Sequence, residues 1–102
     1  MNQAQMMAQV RKMQADMAKA QEELAATVVC GSAGGELVRV EMTCDYRVQS
    51  VKIGAEALDP TDTETLEDLL VVAVNDAIRA AQERAGERMG AVTGGLHVPG
   101  LM

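Results

Sequence analysis

The chain has 102 residues, 48% hydrophobic and 24% charged, with a formal net charge of −6, a globular rather than disordered composition that fits a single domain. Its longest uninterrupted apolar run, Leu69 to Val74, is six residues, far short of a bilayer span. Tyr46 is the only aromatic residue. That weighs against single-stranded nucleic-acid binding by base stacking and leaves a thin core whose stability points to oligomerisation.

The N-terminus, MNQAQMMAQVRK, has no stretch resembling a signal peptide, so a soluble cytoplasmic protein is expected. Residues 2–26 predict one helix. Met6, Val10, Met13, Met17, Ala20 and Leu24 alternate spacings of four and three, which keeps them on one narrow stripe. Such a stripe fits a core-facing helix or a contact between subunits. Lys12–Asp16 and Lys19–Glu23 are i,i+4 ion pairs on the same helix.

Thr27 to Cys30 is rich in β-formers, and residues 31–35 (Gly-Ser-Ala-Gly-Gly) predict a turn. Val38, Val40, Met42 and Cys44 then alternate with Leu37, Arg39, Glu41 and Thr43, which predicts a strand with one apolar face. A third strand, Val48 to Ile53, follows a short turn at Asp45-Tyr46. Val51 and Ile53 are in phase and Val48 is not, so a bulge near Gln49-Ser50 is expected. Three strands joined by short turns make an antiparallel meander whose apolar face needs a cover.

A second long helix supplies the cover. Thr61-x-x-Glu64 has the form of a capping box before the apolar run that starts at Leu66. Leu66, Leu69, Leu70, Val72, Ala73, Val74, Ala77, Ile78 and Ala81 span a wide arc, which suggests burial against both the sheet and a second subunit. Residues 90–102, containing Gly90, Gly94, Gly95, Pro99 and Gly100, read as a tail. The fold class is therefore α+β: α-β-β-β-α, a three-stranded antiparallel meander flanked by two long helices, in one domain spanning 1–102 and homodimeric.

Catalysis has little support. His97 is the only histidine and falls in the tail. Two cysteines and one histidine lack metal-ligand spacing. A hairpin closed at 31–35 would put Cys44 ~25 Å from Cys30 at about 3.3 Å per residue, too far for a disulfide. The glycine clusters fit neither a P-loop nor a dinucleotide fingerprint. No enzyme activity, cofactor, metal or small-molecule substrate is expected, and no membrane partner.

The charges are unevenly placed. Residues 54–78 hold Glu56, Asp59, Asp62, Glu64, Glu67, Asp68 and Asp76 with no base, while the rest of the chain is nearly neutral. Acids at the start of the second helix complement its macrodipole. The remaining candidates are the helix cations Arg11, Lys12, Lys19, Arg79, Arg84 and Arg88. Such arrays either stay solvated or neutralise phosphates, and dimerisation would double each patch.

KMQADMAKAQEELAA, GELVRV, QSVKI, ALDP, TLEDLLVVAVNDAIRAA and MGAVTGGLHVPGLM resemble the YbaB/EbfC family of bacterial nucleoid-associated proteins through nearly the whole chain. LEDLLVVAVNDA and TGGL-x-x-PG are the specific parts. Where many members read Asn-Gly-x-Gly, this chain has Cys44-Asp45-Tyr46-Arg47. The resemblance implies a tweezer-like homodimer that binds double-stranded DNA through its paired long helices, in the cytoplasm and nucleoid. Arg11, Lys12 and Lys19 match its first helix, and Arg79, Arg84 and Arg88 its last. Binding to duplex DNA through backbone phosphates is the expected function, with the acidic segment 54–78 facing away. The alternative is a protein-interaction module docking onto replication, repair or transcription proteins through the acidic helix start and the stripe of Met6, Met13 and Met17.

Overall fold

The computed structural model describes residues 2–92. They form an elongated body of 70 × 28 × 16 Å. Helix α1 (Gln3–Ala26) leads into strands β1 (Val28–Ala33), β2 (Val38–Thr43) and β3 (Val48–Ile53). A short 3-10 turn (Ala55–Ala57) precedes helix α2 (Thr63–Val92). The strands pair antiparallel in the order β1-β2-β3, the expected α+β meander. No helix among the described residues is long and apolar enough to cross a membrane.

Each helix begins at a side-chain cap. The Gln5 amide N–H donates to Asn2 Oδ1 at 2.8 Å, and the Asn2 N–H donates to Gln5 Oε1 at 3.1 Å, satisfying two of the donors a helix start leaves open. At α2 the cap is Asp62 rather than Thr61. Asp62 Oδ1 accepts the Thr65 N–H at 3.2 Å and Oδ2 accepts the Thr65 hydroxyl at 2.6 Å. Thr61 is diverted because its own N–H and hydroxyl both donate to Asp59 Oδ1. Those two bonds hold the Asp59 carboxyl below the usual carboxylate range. At its other end α2 continues to Val92, so Gly90 and Ala91 are helical rather than the start of a tail. His97 and the rest of the expected tail, 93–102, lie outside the described residues.

The period-two pattern of β2 is realised, with Val38, Val40, Met42 and Cys44 all buried. The phase slip in β3 is also real: Glu41 pairs with Ser50 and Met42 with Val48, leaving Gln49 as the extra residue of a bulge. Strand β1 differs from expectation, since it continues through Gly31 and Ser32 to Ala33. Gly31 is there because α2 comes so close. A Cβ at residue 31 would stand 2.2 Å from the backbone nitrogen of Ala77 and 2.4 Å from the carbonyl oxygen of Ala73. The turn shifts to Gly34-Gly35-Glu36, all with positive φ. The longer β1 also changes the cysteine geometry, because Cys30 pairs with Glu41. Cys44 then lies three residues further along, about 10 Å at ~3.3 Å per residue, rather than ~25 Å. Cys30 is exposed and Cys44 buried, and both are free thiols.

The core is a thin layer of Ala33, Val38, Val40 and Met42 under Ala73, Ala77 and Ala81 of α2. The alanine column lets helix and sheet approach closely. The Ser32 N–H, at the free edge of β1, donates to Asp76 Oδ2 at 3.1 Å, so α2 covers that edge. At about 100° per residue, Leu69, Val72 and Asp76 share this flank of α2, and Leu70, Val71 and Val74 share the opposite one. On that opposite side β3 is uncovered. Val48, Val51 and Ile53 pair with the buried residues Met42, Val40 and Val38 and so point to the helix-covered face, yet all three are exposed. Val71 and Val72 are exposed as well, so the arc read from the sequence is only partly buried within one protomer.

Helix α1 packs on the far end of α2. Ala20 and Leu24 are buried, but Met6, Val10 and Met17 remain exposed. Contacts of Leu24 and Glu23 fall near Arg84 and Arg88, and those of Lys12 and Asp16 near Arg88 and Ala91. The helices are therefore antiparallel, with α1 from Lys12 onward alongside the last turns of α2. A stripe shows which face of a helix is apolar but not how much of it has a partner.

Candidate functional site

The groove between α1 and the last turns of α2 gathers most of the candidate cations. One depression of about 300 Å³ is lined by Glu23, Leu24, Thr27, Arg84, Glu87, Arg88 and Ala91. A second, about 290 Å³, is lined by Lys12, Asp16, Lys19, Arg88 and Ala91. Arg88 and Ala91 border both, so the two form one continuous seam. Lys12, Lys19, Arg84 and Arg88 line it, facing the carboxylates of Asp16, Glu23 and Glu87.

The α1 side of this seam is held by the sequence between α1 and β1. The Thr27 hydroxyl donates to the Glu23 carbonyl at 2.6 Å and stops α1. The Cys44 N–H, just beyond β2, donates to the carbonyls of Leu24 and Thr27, which ties the helix end to the sheet. On the α2 side, Arg88 Nε donates to Glu23 Oε2 at 2.6 Å. This bond holds the Glu23 carboxyl below its ordinary range and pushes the Arg88 guanidinium further up. Lys12 lies 3.6 Å from Asp16 on its own helix, with both side chains well exposed. Exposed pairs of this kind are weak and salt-screened, so an incoming phosphate can replace the carboxylate.

Not every candidate is in the seam. Arg79 lies elsewhere on α2, with one guanidinium nitrogen 3.1 Å from Asp76 and another 3.1 Å from Glu83. Arg11 is exposed on α1 and lines neither depression. Among the described residues, no carboxylate lies within ion-pair distance of Arg11, Lys19 or Arg84. Lys12–Asp16 was legible as an i,i+4 pair, whereas the expected Lys19–Glu23 pair does not close to ion-pair distance because Glu23 turns to Arg88. Glu23 as the partner of Arg88 was not legible, because 65 positions separate them and only the packing of the two helices brings them together.

The acids are separated from the seam along the molecule's length. Six of the seven carboxylates in segment 54–78 precede Leu69. Glu64 and Arg88 are 24 helical positions apart, about 36 Å at ~1.5 Å per residue. The acidic end therefore leaves the local balance at the seam slightly positive. The seam is shallow and open, and it is lined by ammonium and guanidinium groups rather than by converging acid–base or nucleophilic residues. Among the described residues, no cluster of three or more His, Cys, Asp or Glu side chains could hold a metal ion.

Comparison with known proteins matches residues 1–96 to the model of the YbaB/EbfC DNA-binding family. A nucleoid-associated protein of Chloroflexus aurantiacus is 54% identical over 96 residues, covering 94% of this chain and 96% of the relative. One from Desulforamulus reducens is 51% identical over 100 residues, covering 98% and 95%. The crystal structure of an uncharacterized protein from Helicobacter pylori superposes with a TM-score of 0.76 at 22% identity, covering 95% of this chain and 99% of that one, a likeness of fold.

Proposed function

This chain belongs to the YbaB/EbfC DNA-binding family, and from that premise we propose that it binds double-stranded DNA as a homodimer, mainly through backbone phosphates. The observation that carries this reading is the seam itself, where Lys12, Lys19 and Arg88 converge on one open groove and Arg84 on its continuation. Phosphates displace the exposed carboxylates and their own counterions, and the energy is largely sequence-independent. Arg11 and Arg79 contribute from outside the groove. The protein acts in the cytoplasm on the nucleoid, as the names of its relatives suggest, and organises DNA rather than transforming a substrate.

The apolar residues left open in one protomer support the dimer. Val48, Val51 and Ile53 of β3 are exposed, and Leu70, Val71 and Val74 line an open apolar depression on the flank of α2; in the proposed dimer a second copy covers this apolar surface. Burial of such surface is the usual source of association energy. The dimer also sets two seams at a fixed spacing, so one duplex can be held at two points.

The direct test is a binding titration of duplex DNA at several salt concentrations. If six phosphates are neutralised per dimer, log K falls with log salt with a slope of about −5. Lys12→Glu with Lys19→Glu weakens binding to all sequences alike. A slope near zero, or a loss confined to one sequence, overturns the reading.

A further inference from the structure

We propose that the β2–β3 turn, through Tyr46 and Arg47, is a second contact point on the sugar–phosphate backbone of duplex DNA, separate from the helix cations. This rests on the duplex-binding reading above. Tyr46 is the chain's one residue of the Phe, Tyr and Trp class, and it is 51% exposed. Its backbone is left-handed, with φ 68°, a conformation a bulky residue rarely adopts and one that glycine takes without strain. Among the described residues, the hydrogen bonding of Tyr46 is through its backbone N–H alone.

The turn is braced so that these two residues are presented rather than loose. The Tyr46 N–H donates to the Thr43 carbonyl at 2.9 Å, and the Thr43 N–H donates to the Arg47 carbonyl at 2.8 Å. The buried Thr43 hydroxyl donates to the Asp45 carboxylate and accepts the Arg47 N–H at 3.2 Å. Asp45 is thereby engaged from one side. Its ion pair with Arg47 is long, 3.8 Å, and the Arg47 side chain is 83% exposed. A phosphate can take that guanidinium at little loss.

Position in the fold favours a nucleic-acid ligand over a generic surface role. The residue that opens the turn, Cys44, is bonded to the carbonyls of Leu24 and Thr27, and both those residues line the cationic seam with Arg84 and Arg88. The turn therefore springs from the wall of the proposed phosphate groove. A phenol and a guanidinium in succession supply a ring for the sugar, a hydroxyl and a fork of donors for phosphate oxygens.

The test uses the full chain, a fluorescently labelled duplex and anisotropy titrations at several salt concentrations, with thermal unfolding followed by circular dichroism. Tyr46→Gly removes the ring and suits the left-handed backbone. It is expected to unfold at or above the wild-type temperature while binding several-fold more weakly. Arg47→Gln is expected to make the salt slope shallower by about two, one phosphate per protomer. Wild-type affinity and slope in both variants overturn the proposal. The Lys12→Glu/Lys19→Glu variant, run beside them, separates the failures. If it loses binding while the turn variants do not, the seam reading stands and the turn contact falls.

Discussion

Arg88 of α2 and Glu23 of α1 meet at 2.6 Å across the seam, so one of the cations proposed to receive a phosphate is already paired with a carboxylate. Glu23 links the two helices, and under the proposed duplex binding it would also compete with the phosphate for Arg88. Glu23→Gln is expected to raise affinity for duplex DNA several-fold at low salt and, if each freed Arg88 takes one phosphate, to steepen the salt slope of a dimer by about two. The same salt titration reads both effects. An unchanged slope would mean that Arg88 does not reach DNA.

Gly31 lies directly against the α2 backbone. Gly31→Ala places a methyl carbon within 2.2–2.4 Å of backbone atoms of Ala73 and Ala77, and neither can rotate away as a side chain would. We expect a loss of about 3 kcal/mol or more, at the upper end for overpacking, measured by urea unfolding. Gly35→Ser is a useful contrast. No atom lies within 4 Å of its Cβ position, so its cost comes only from the left-handed backbone.

Asp76 couples stability to pH. The Ser32 N–H first, and Arg79 second, hold its carboxyl below the usual carboxylate value. A carboxyl lowered in the folded state stabilises fully above its unfolded pKa, about 4, and that contribution is lost as pH falls through the folded value. Asp76→Asn is expected to cost about 1 kcal/mol at neutral pH, allowing for partial exposure. It should also lose less stability than wild type between pH ~4 and lower values. Urea midpoints across this range check the sign.

The uncovered apolar surface can be tested without DNA. Val51→Glu places a charge on the face that Val40 shares from the neighbouring strand, where a second copy is proposed to sit. Sedimentation is expected to move the protein toward its 10.8 kDa chain mass. Because Val51 is exposed in the protomer, the helical circular-dichroism signal should be retained.

Much of the fold was legible because its signals are local. Val38, Val40, Met42 and Cys44 announce the buried face of β2, and the odd spacing of Val48 and Val51 announces the bulge. Misreadings arose where the reason for a residue lies elsewhere in the chain. Gly31 looks like a turn glycine until α2 is laid over it. Thr61 looks like a cap until Asp59 takes its hydroxyl. The cations were legible as a set, but their grouping was not. The packing of α1 on α2 places Lys12, Lys19, Arg84 and Arg88 along one seam, while Asp76 and Glu83 keep Arg79 on its own helix.

Gln49 has an effect beyond its own position. In an unbroken strand, residues three apart face opposite ways, so Val48 and Val51 would be split between the two sides of the sheet. The additional residue restores agreement between them and gives β3 a continuous greasy margin beside α2. If β3 kept Gln49 but paired without the bulge, Gln49 would take the place opposite Met42 and Val48 would turn to the far side, with Val51 and Ile53 left in place. A copy approaching that margin would find part of it replaced by polar side chains.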